Sequence, residues 1–505
     1  MKTKKTLLNF ITDTIPLVII SLLGIFKSKL FLQVFGDEIL GLYNLFSQIM
    51  TYVALVDGGL SSAVLYSLYK PNAEGNQKKF NALIAGAFKT FSFIGMAVFG
   101  IAGIVSFFVP FLIKNCSFDY WYVILSFMLF ALSSTVGYFF VPFTALLEVK
   151  EKKYIYNLTY QLGQIALSIT EIIMLKKGFT FEAVLFMHSI VRLIAYTTEA
   201  LICKKQFPEV KFTQSEKDYG FKKHIKSLVF HKINGLVGSN IDSIIISSMI
   251  GLKEGAIYST YNYIVNMLRT ILGKIEYSMT AIVGNELAKD KTKAYKLFQE
   301  FDSMLFFIAT IICVPLALAI NGFIDIWYEG EIATNMLLAI AFSASLFITI
   351  VKMDTTLFVS AGGLYAETRY CALTDTTINL ILSFALIKLI GVPGVIFATA
   401  ISVFVAEYIL KTIVVHQNIF MKSSKEYFIR NIKFFVICVV DLILGYIIMS
   451  PINLSSILTW FVVYVIYFIF NAVLVYIVYR MFKETQFSGR FINLFKQIIM
   501  KGKKG

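Results

Sequence analysis

The chain alternates long apolar stretches with short polar segments. A helix needs about 20 apolar residues to cross a hydrocarbon core of about 30 Å. Fourteen stretches approach or exceed this length, at residues 7–34, 39–69, 80–113, 119–147, 154–175, 180–203, 226–250, 255–287, 297–321, 334–361, 369–390, 393–416, 430–450 and 456–479. Since a backbone in lipid must satisfy its own hydrogen bonds, the pattern predicts an all-α polytopic membrane protein with about 14 transmembrane helices.

The composition agrees with this prediction. Of 505 residues, 57% are hydrophobic and only 15% are charged, against roughly 25% charged residues in an ordinary soluble domain. The mean hydropathy is +0.74. A soluble fold is therefore excluded.

The net charge of +15 is explained by topology. When the loops are assigned alternately to the two sides, one side holds only a few of the loop cations, namely Lys114, Lys176, Lys177, Lys253 and Lys388. Positive loops stay in the cytoplasm, so the pattern places both termini there. It argues against nucleic acid as a partner and makes membrane lipids the expected surroundings.

A polar, lysine-rich segment divides the chain after the sixth stretch. We predict an N-lobe at 1–204, a cytoplasmic linker at 205–225, a C-lobe at 226–420, and two further helices with a basic cytoplasmic tail at 421–505. The lobes share weak self-similarity, since GDEILGLY at 36–43 resembles GLKEGAIY at 251–258 and Phe140-Val141 resembles Phe358-Val359. The order of the matches indicates a parallel repeat around a central cavity, an organisation that favours a transporter.

Charged residues inside the stretches are the candidate functional groups. Each costs about 2.5 to 3.5 kcal/mol at mid-bilayer unless it faces water or a partner. We predict a cationic cavity for a diphosphate, because Arg offers forked donors and Lys a point charge. Its candidate residues are Arg269, Arg192, Lys232, Lys89 and Lys274, with Asp57 nearby. Cations near the ends of stretches, such as Lys27, Lys352 and Lys411, are interpreted as snorkelling to the interface.

A second candidate site is acidic. Asp375 and Asn379 are four residues apart and share a helix face, and Asp242 lies in the seventh stretch. With the hydroxyl of Thr399, they form a hard-oxygen set suited to a small cation such as Na⁺. The alternative is that Asp375 caps a helix or pairs with a local Lys or Arg.

Other chemistry lacks a sequence signal. The five cysteines show no CxxC spacing and no disulfide framework, and no GxxxxGK[ST] loop marks an ATP site. We therefore expect a protein that is not an enzyme and has no cofactor, with Na⁺, H⁺ or the membrane potential as the coupling force.

Three segments carry a family resemblance. They are FGDEILGLYNLFSQIMTYVALVDGGLSSAVLYSLYKP at 35–71, FHKINGLVGSNIDSIIISSMIGLKEGAIYSTYNYIVNML at 230–268 with TAIVGNELA after it, and AGGLYAETRYCALTDTTINLILSFALIKLIGVPGVIFATAIS at 361–402. The chain resembles the lipid-linked oligosaccharide flippases of the polysaccharide transporter family, within the multidrug/oligosaccharidyl-lipid/polysaccharide (MOP) exporter superfamily.

The resemblance implies two six-helix lobes around a hydrophilic cavity in a bacterial plasma membrane. It implies transfer of an undecaprenyl-diphosphate-linked oligosaccharide between leaflets by alternating access, with polysaccharide polymerase and other assembly proteins as partners. It also implies a diphosphate-receiving role for Arg269 and a sodium-binding role for Asp242, Asp375 and Asn379. The alternatives are a multidrug/cation antiporter of the same fold and a membrane polysaccharide polymerase or glycosyltransferase.

Overall fold

The computed structural model describes residues 2–57, 59–114, 116–214, 216–221, 241–452, 456–486 and 489. Throughout these residues the secondary structure is helical and no strand occurs, which confirms the predicted all-α class. The chain forms two compact units, Met1–Ala256 and Ile257–Gly505, and each is described by itself.

The first unit is built from helices separated by short turns. Their bounds are α1 Lys2–Val53, α2 Leu60–Ala73, α3 Gln77–Ser106, α4 Tyr120–Thr135, α5 Val141–Val149, α6 Lys153–Lys176, α7 Phe181–Gln206 and α8 Asp242–Met249. Helix α9, Leu252–Lys289, starts in this unit and continues into the second. A buried apolar cluster joins α2, α3, α5 and the segment after α7, with Phe80, Phe91 and Phe143 among its members.

Two predicted stretches are interrupted in this unit. The stretch 39–69 is broken by a 3₁₀ turn, Ala54–Asp57, and by Gly59, whose φ of 79° is left-handed. The stretch 119–147 is broken by a second 3₁₀ turn, Val136–Phe140, before α5. Pro142 lies in the first turn of α5, where its missing N–H costs nothing and its ring prevents the helix from continuing backwards.

The two halves of the GDEILGLY/GLKEGAIY repeat share a backbone feature. Gly36 at the kink of α1 has φ 82°, and Gly251 just before α9 has φ 153°. A side chain at either position would be strained, so glycine is required where each helix changes direction. The repeat thus places a glycine with positive φ at corresponding positions of its two segments.

The second unit contains the rest of α9 and eight further helices. Their bounds are α10 Lys291–Trp327, α11 Met336–Val351, α12 Met353–Gly362, α13 Arg369–Ile390, α14 Val392–Val403, α15 Lys411–Val415, α16 Lys425–Met449 and α17 Ile457–Met481. Two π-helical segments, Phe404–Leu410 and His416–Phe420, flank α15. The bounds of α13 coincide with the predicted stretch 369–390.

Within the described residues, eleven helices are long and apolar enough to cross a membrane. The prediction of fourteen spans is not confirmed in number. Stretch 7–34 and the first part of stretch 39–69 fall in one counted helix, and most of stretch 226–250 lies outside the described residues. Helix α9, which contains stretch 255–287, is not among the eleven. The last two helices carry large exposed apolar side chains, including Ile443, Ile447, Phe461 and Ile469, as expected where a surface faces lipid.

A charged network attaches the end of α17 to α16 and α10. Glu484, just beyond α17, accepts from Arg430 Nη2 at 2.6 Å and from Lys433 Nζ. Ser303 on α10 also donates to Glu484, at 2.9 Å. Burial raises the pKa of Glu484, but the hydrogen bonds from Arg430 and Lys433 outweigh it and lower this pKa to about 2.

Candidate functional site

The first unit contains a polar cavity with two connected parts. One part, of about 370 Å³, lies beside α1 and α7, and the other, of about 410 Å³, lies beside α2, α5 and α6. Ser134 and Tyr138 line both parts. The walls are rich in hydroxyl groups, contributed by Tyr43, Ser47, Thr51, Ser61, Ser62, Thr144, Tyr156 and Tyr196. These volumes are in the range of small-molecule sites.

Arg192 is the predicted cation that this cavity contains. It projects from α7 and lines the part beside α1. Its Nη1 donates to the carbonyl oxygen of Ser133 at 3.0 Å, which holds the guanidinium in place. Its Nε is buried and has no hydrogen-bond partner among the described residues. A guanidinium held in this way at a cavity wall is suited to bind an anionic group of a ligand.

A carboxyl group near this arginine was not among the predicted site residues. Glu199, two turns further along α7, has 1% of its surface exposed and accepts from Thr144 Oγ1 at 2.9 Å. It lines a narrow pocket together with Arg192 and Tyr196. Glu199 lies inside an apolar stretch, so a complete list of the charged residues within the stretches would have included it as a candidate.

A buried ion pair lies on the other side of α7. Glu171 Oε2 on α6 is 3.2 Å from Lys27 Nζ and 2.9 Å from His188 Nε2. Lys27 is thus paired with a buried carboxylate rather than snorkelling alone. Tyr43, which lines the cavity, packs edge-to-face against His188 with ring centroids 6.4 Å apart. The triad therefore adjoins the cavity wall.

Other predicted residues of the first unit are dispersed. Asp57 ends the 3₁₀ turn after α1 and is buried, and both of its oxygens are 3.3 Å from the hydroxyl of Ser61, a cavity-lining residue. Lys89 is exposed on α3. Asp242 is buried at the first position of α8. Lys232 lies outside the described residues.

Arg269 belongs to the second unit. It projects from α9, and its Nη2 donates to Ser345 Oγ on α11 at 2.8 Å, while Nη1 donates to Asn266 Oδ1 at 3.2 Å. Two neutral oxygen atoms therefore help to hold the guanidinium in position. Lys274 is on the same helix, but its side chain is outside the description.

Part of the predicted acidic set comes together in the second unit. Asn379 on α13 donates to Thr399 Oγ1 on α14 at 2.9 Å. Asp375, one turn earlier on α13, has a buried Oδ1 without a hydrogen-bond partner among the described residues. Asp242 is in the other unit. In the described part of the chain, no three His, Cys, Asp or Glu residues are grouped so as to hold a metal ion.

Two lysines that were predicted to snorkel form ion pairs next to this set. Lys352 Nζ is 3.3 Å from Glu407 Oε2, and Lys411 Nζ contacts the same oxygen. One carboxylate in a π-helical segment therefore serves two cations. Both lysines are paired with Glu407. Among the described residues Asp375 therefore forms no ion pair with either of them, in contrast to the alternative in which it pairs with a local Lys or Arg.

No protein-family model matches the chain, and no curated protein matches it significantly. Solved structures do match it. A structure of the lipid II flippase MurJ in an inward-closed conformation has a TM-score of 0.71 at 16% identity, over 94% of this chain and 99% of that one.

Transporters of the multidrug resistance MATE family match as well. An inward-facing MATE transporter of the MOP superfamily has a TM-score of 0.63 at 13% identity, over 79% of this chain and 96% of that one. The Vibrio cholerae MATE transporter VcmN has a TM-score of 0.54 at 12% identity, over 83% and 98%.

The chain is thus a multi-pass membrane protein with the fold of MOP-superfamily transporters. The structures that it resembles are transporters and flippases, not enzymes.

Proposed function

We propose that the protein moves a diphosphate-linked oligosaccharide lipid, built on undecaprenol, from the inner to the outer leaflet of the bacterial plasma membrane. The observation that carries this proposal is Arg192, a guanidinium that lines a hydroxyl-rich cavity in a chain with a MOP fold. A diphosphate gives the guanidinium an anionic partner, and the hydroxyl and tyrosine groups suit the polar and apolar faces of sugars.

We assign Arg269 a second anion contact. Ser345 and Asn266 hold its guanidinium in a fixed position, and a guanidinium offers forked donors to a phosphate group. Roles for Lys89, Lys232, Lys274 and Asp57 stay predictions. The N-terminal cavity and Arg269 are in different units and are proposed as separate contacts of one transport cycle.

For coupling, we propose a cation site in the second unit at Asp375, Asn379 and Thr399. Support comes from the Asn379–Thr399 hydrogen bond, which brings two of the three side chains together, and from the partnerless oxygen of Asp375. An oxygen set of this kind suits Na⁺ or H⁺. A contribution of Asp242 stays a prediction, and so does a partnership with a polysaccharide polymerase.

The test is translocation in proteoliposomes of a fluorescent polyprenyl-diphosphate disaccharide, followed by an impermeant quencher. The wild type should make the probe accessible to the quencher faster than empty liposomes do. Arg192→Ala and Arg269→Ala should each slow this step, whereas Lys388→Ala, at an exposed lysine near the end of α13, should not. Failure of the wild type with polyprenyl diphosphates would overturn the proposal.

A multidrug/cation antiporter is the second candidate. The MATE structures share the fold, and buried Glu199 beside the cavity offers a carboxyl group to a lipophilic cation. Arg192 in the same pocket opposes such a cation electrostatically. A susceptibility panel in cells that express the protein distinguishes the two, because only the antiporter raises resistance to lipophilic cationic drugs.

A further inference from the structure

A second buried acidic cluster lies in the second unit, away from Asp375. Asp302 on α10 and Asp354 at the start of α12 both have 0% of their surface exposed. Arg430 and Asn431 on α16 donate to Asp302, and Asp354 interacts electrostatically with Asp302 and Arg430. Arg430 connects this cluster to the network around Glu484. The charges of the cluster and of the network can therefore be counted together.

Asp302 is fully satisfied. Tyr427 Oη and Asn431 Nδ2 each donate to its Oδ1 at 2.9 Å, and Arg430 Nη1 donates to its Oδ2 at 3.1 Å. Asp302 therefore has three donors, one of them cationic, and these favour its charged form over that of a carboxylate with fewer partners.

Asp354 is not satisfied. Its Oδ1 accepts from the backbone N–H of Thr355 at 2.6 Å, but its Oδ2 has no hydrogen-bond partner among the described residues. Asn431 also has a buried, partnerless oxygen, Oδ1, although its Nδ2 is committed to Asp302 and to Tyr408 Oη at 3.0 Å. Two buried acceptors thus lack a donor among the described residues.

Among the described residues no cation is at ion-pair distance from Asp354, and Arg430 acts on it from its place beside Asp302. His416, one turn beyond Thr412, donates from Nδ1 to the carbonyl oxygen of Thr412 at 2.9 Å. On α15, Thr412 is bonded to Thr355 at 2.9 Å, and Lys411 is paired with Glu407, as is Lys352, which precedes α12. The titratable and charged groups that interact electrostatically with Asp354 are Asp302, Arg430, Tyr408 and Tyr427.

In the combined network the carboxylates outnumber the cations that pair with them. Asp302, Asp354 and Glu484 are three carboxylates, whereas Arg430 and Lys433 are the two cations that pair within the network. Arg430 contacts both Asp302 and Glu484, and Lys433 contacts Glu484. Lys352 and Lys411, which share Glu407, balance the total charge, but among the described residues the fully buried Asp354 is the carboxylate of this set with no cation at ion-pair distance.

We propose that Asp354 Oδ2 is a proton-binding site, occupied at neutral pH. A single proton neutralises Asp354 and converts its partnerless acceptor into a donor, whereas a buried ionised carboxylate without an ion-pair partner is strongly disfavoured. A proton fits better than a metal ion, because the described residues group no three His, Cys, Asp or Glu side chains around a common point.

Infrared spectroscopy of the full-length protein in lipid tests this site directly. The wild-type minus Asp354→Asn difference spectrum at neutral pH should contain the carbonyl stretch of a protonated carboxylic acid, which shifts in deuterated water. The matched control is Asp325→Asn, at a carboxylate that accepts from Thr334 Oγ1 at 2.9 Å near the end of α10; its difference spectrum should show only loss of a carboxylate band.

Loss of only a carboxylate band in Asp354→Asn would overturn the proposal, because Asp354 would then be ionised. Disappearance of the carbonyl band when NaCl replaces choline chloride at constant pH would overturn it in favour of a metal cation. If Asp354→Asn does not fold, Asp354→Glu keeps the acid and should show the carbonyl band at a shifted frequency. The measurement needs no lipid substrate, so its result is independent of the proposed function.

Discussion

Glu484 connects the end of α17 to α16 and α10. Its replacement by glutamine should destabilise the protein in a pH-dependent way. The carboxylate is 14% exposed and receives hydrogen bonds from Arg430 at 2.6 and 3.2 Å. A glutamine retains the shape but removes the charge that these contacts require. Arg430 would keep only Asp302 as an ionic partner.

The pKa of Glu484 sets the size and the pH range of the effect. This pKa is lowered from 4.5 to about 2 in the folded protein, and each tenfold change in proton affinity is worth about 1.4 kcal/mol. The carboxylate therefore contributes about 3 kcal/mol of stability. Because the folded pKa is the lower one, this contribution is fully present above about pH 5 and is lost as the pH falls towards about 2.

Thermal unfolding followed by tryptophan fluorescence measures this contribution. Trp460 is a suitable probe because it donates to Ala319 O at 3.1 Å within the same unit. At about 2 to 4 °C per kcal/mol for a unit of this size, Glu484→Gln should lower the Tm at pH 7 by roughly 5 to 12 °C. The Tm of the wild type should fall more steeply than that of the variant below pH 5, and the two should converge.

The control is Glu426→Gln, at an exposed residue in the first turn of α16, which should leave the Tm within about 1 °C of the wild type. Equal Tm values for Glu484→Gln and wild type at pH 7 would refute the reasoning. Parallel pH profiles would refute it too, since they would show that Glu484 titrates with its ordinary pKa.

Three further predictions concern other parts of the molecule. Arg192→Ala should slow translocation of the diphosphate probe about 10- to 150-fold, from loss of a charge-assisted hydrogen bond of about 1.5 to 3 kcal/mol, and Arg192→Lys should recover only part of the rate; an unchanged rate would remove Arg192 from the site. Asp375→Asn should abolish any stimulation of transport by a Na⁺ or H⁺ gradient while a gradient-independent rate persists, and retention of the full stimulation would contradict the coupling proposal. Gly41→Ala should lower the Tm, because its Cβ would lie 2.0 Å from the backbone oxygen of Leu252, whereas Gly100→Ala, which meets no atom within 4 Å, should not lower it.

The apolar pattern by itself determined the fold class, because the length of an apolar run and the charge of the adjoining loops are local properties of the sequence. The bounds of α13 illustrate this, and so does the repeat, whose two glycines both have positive φ. The position of Arg192 inside an apolar stretch also indicated that its side chain must face water or a partner. The interruption of stretch 39–69 at Gly59 was not predicted, since glycine within an apolar run does not by itself reveal a left-handed backbone.

Tertiary structure decided which charges are paired and which are available. Lys27 is equivalent to other cations near the end of a span until α6 places Glu171 beside it, and Glu199 becomes part of a candidate site because α7 places it in a pocket with Arg192. Only the packing of α10, α12 and α16 shows that Asp302 has three donors while Asp354 has an oxygen without one. The pairing of charges depends on contacts between residues that are distant in sequence, and hydrophobic periodicity does not predict such contacts.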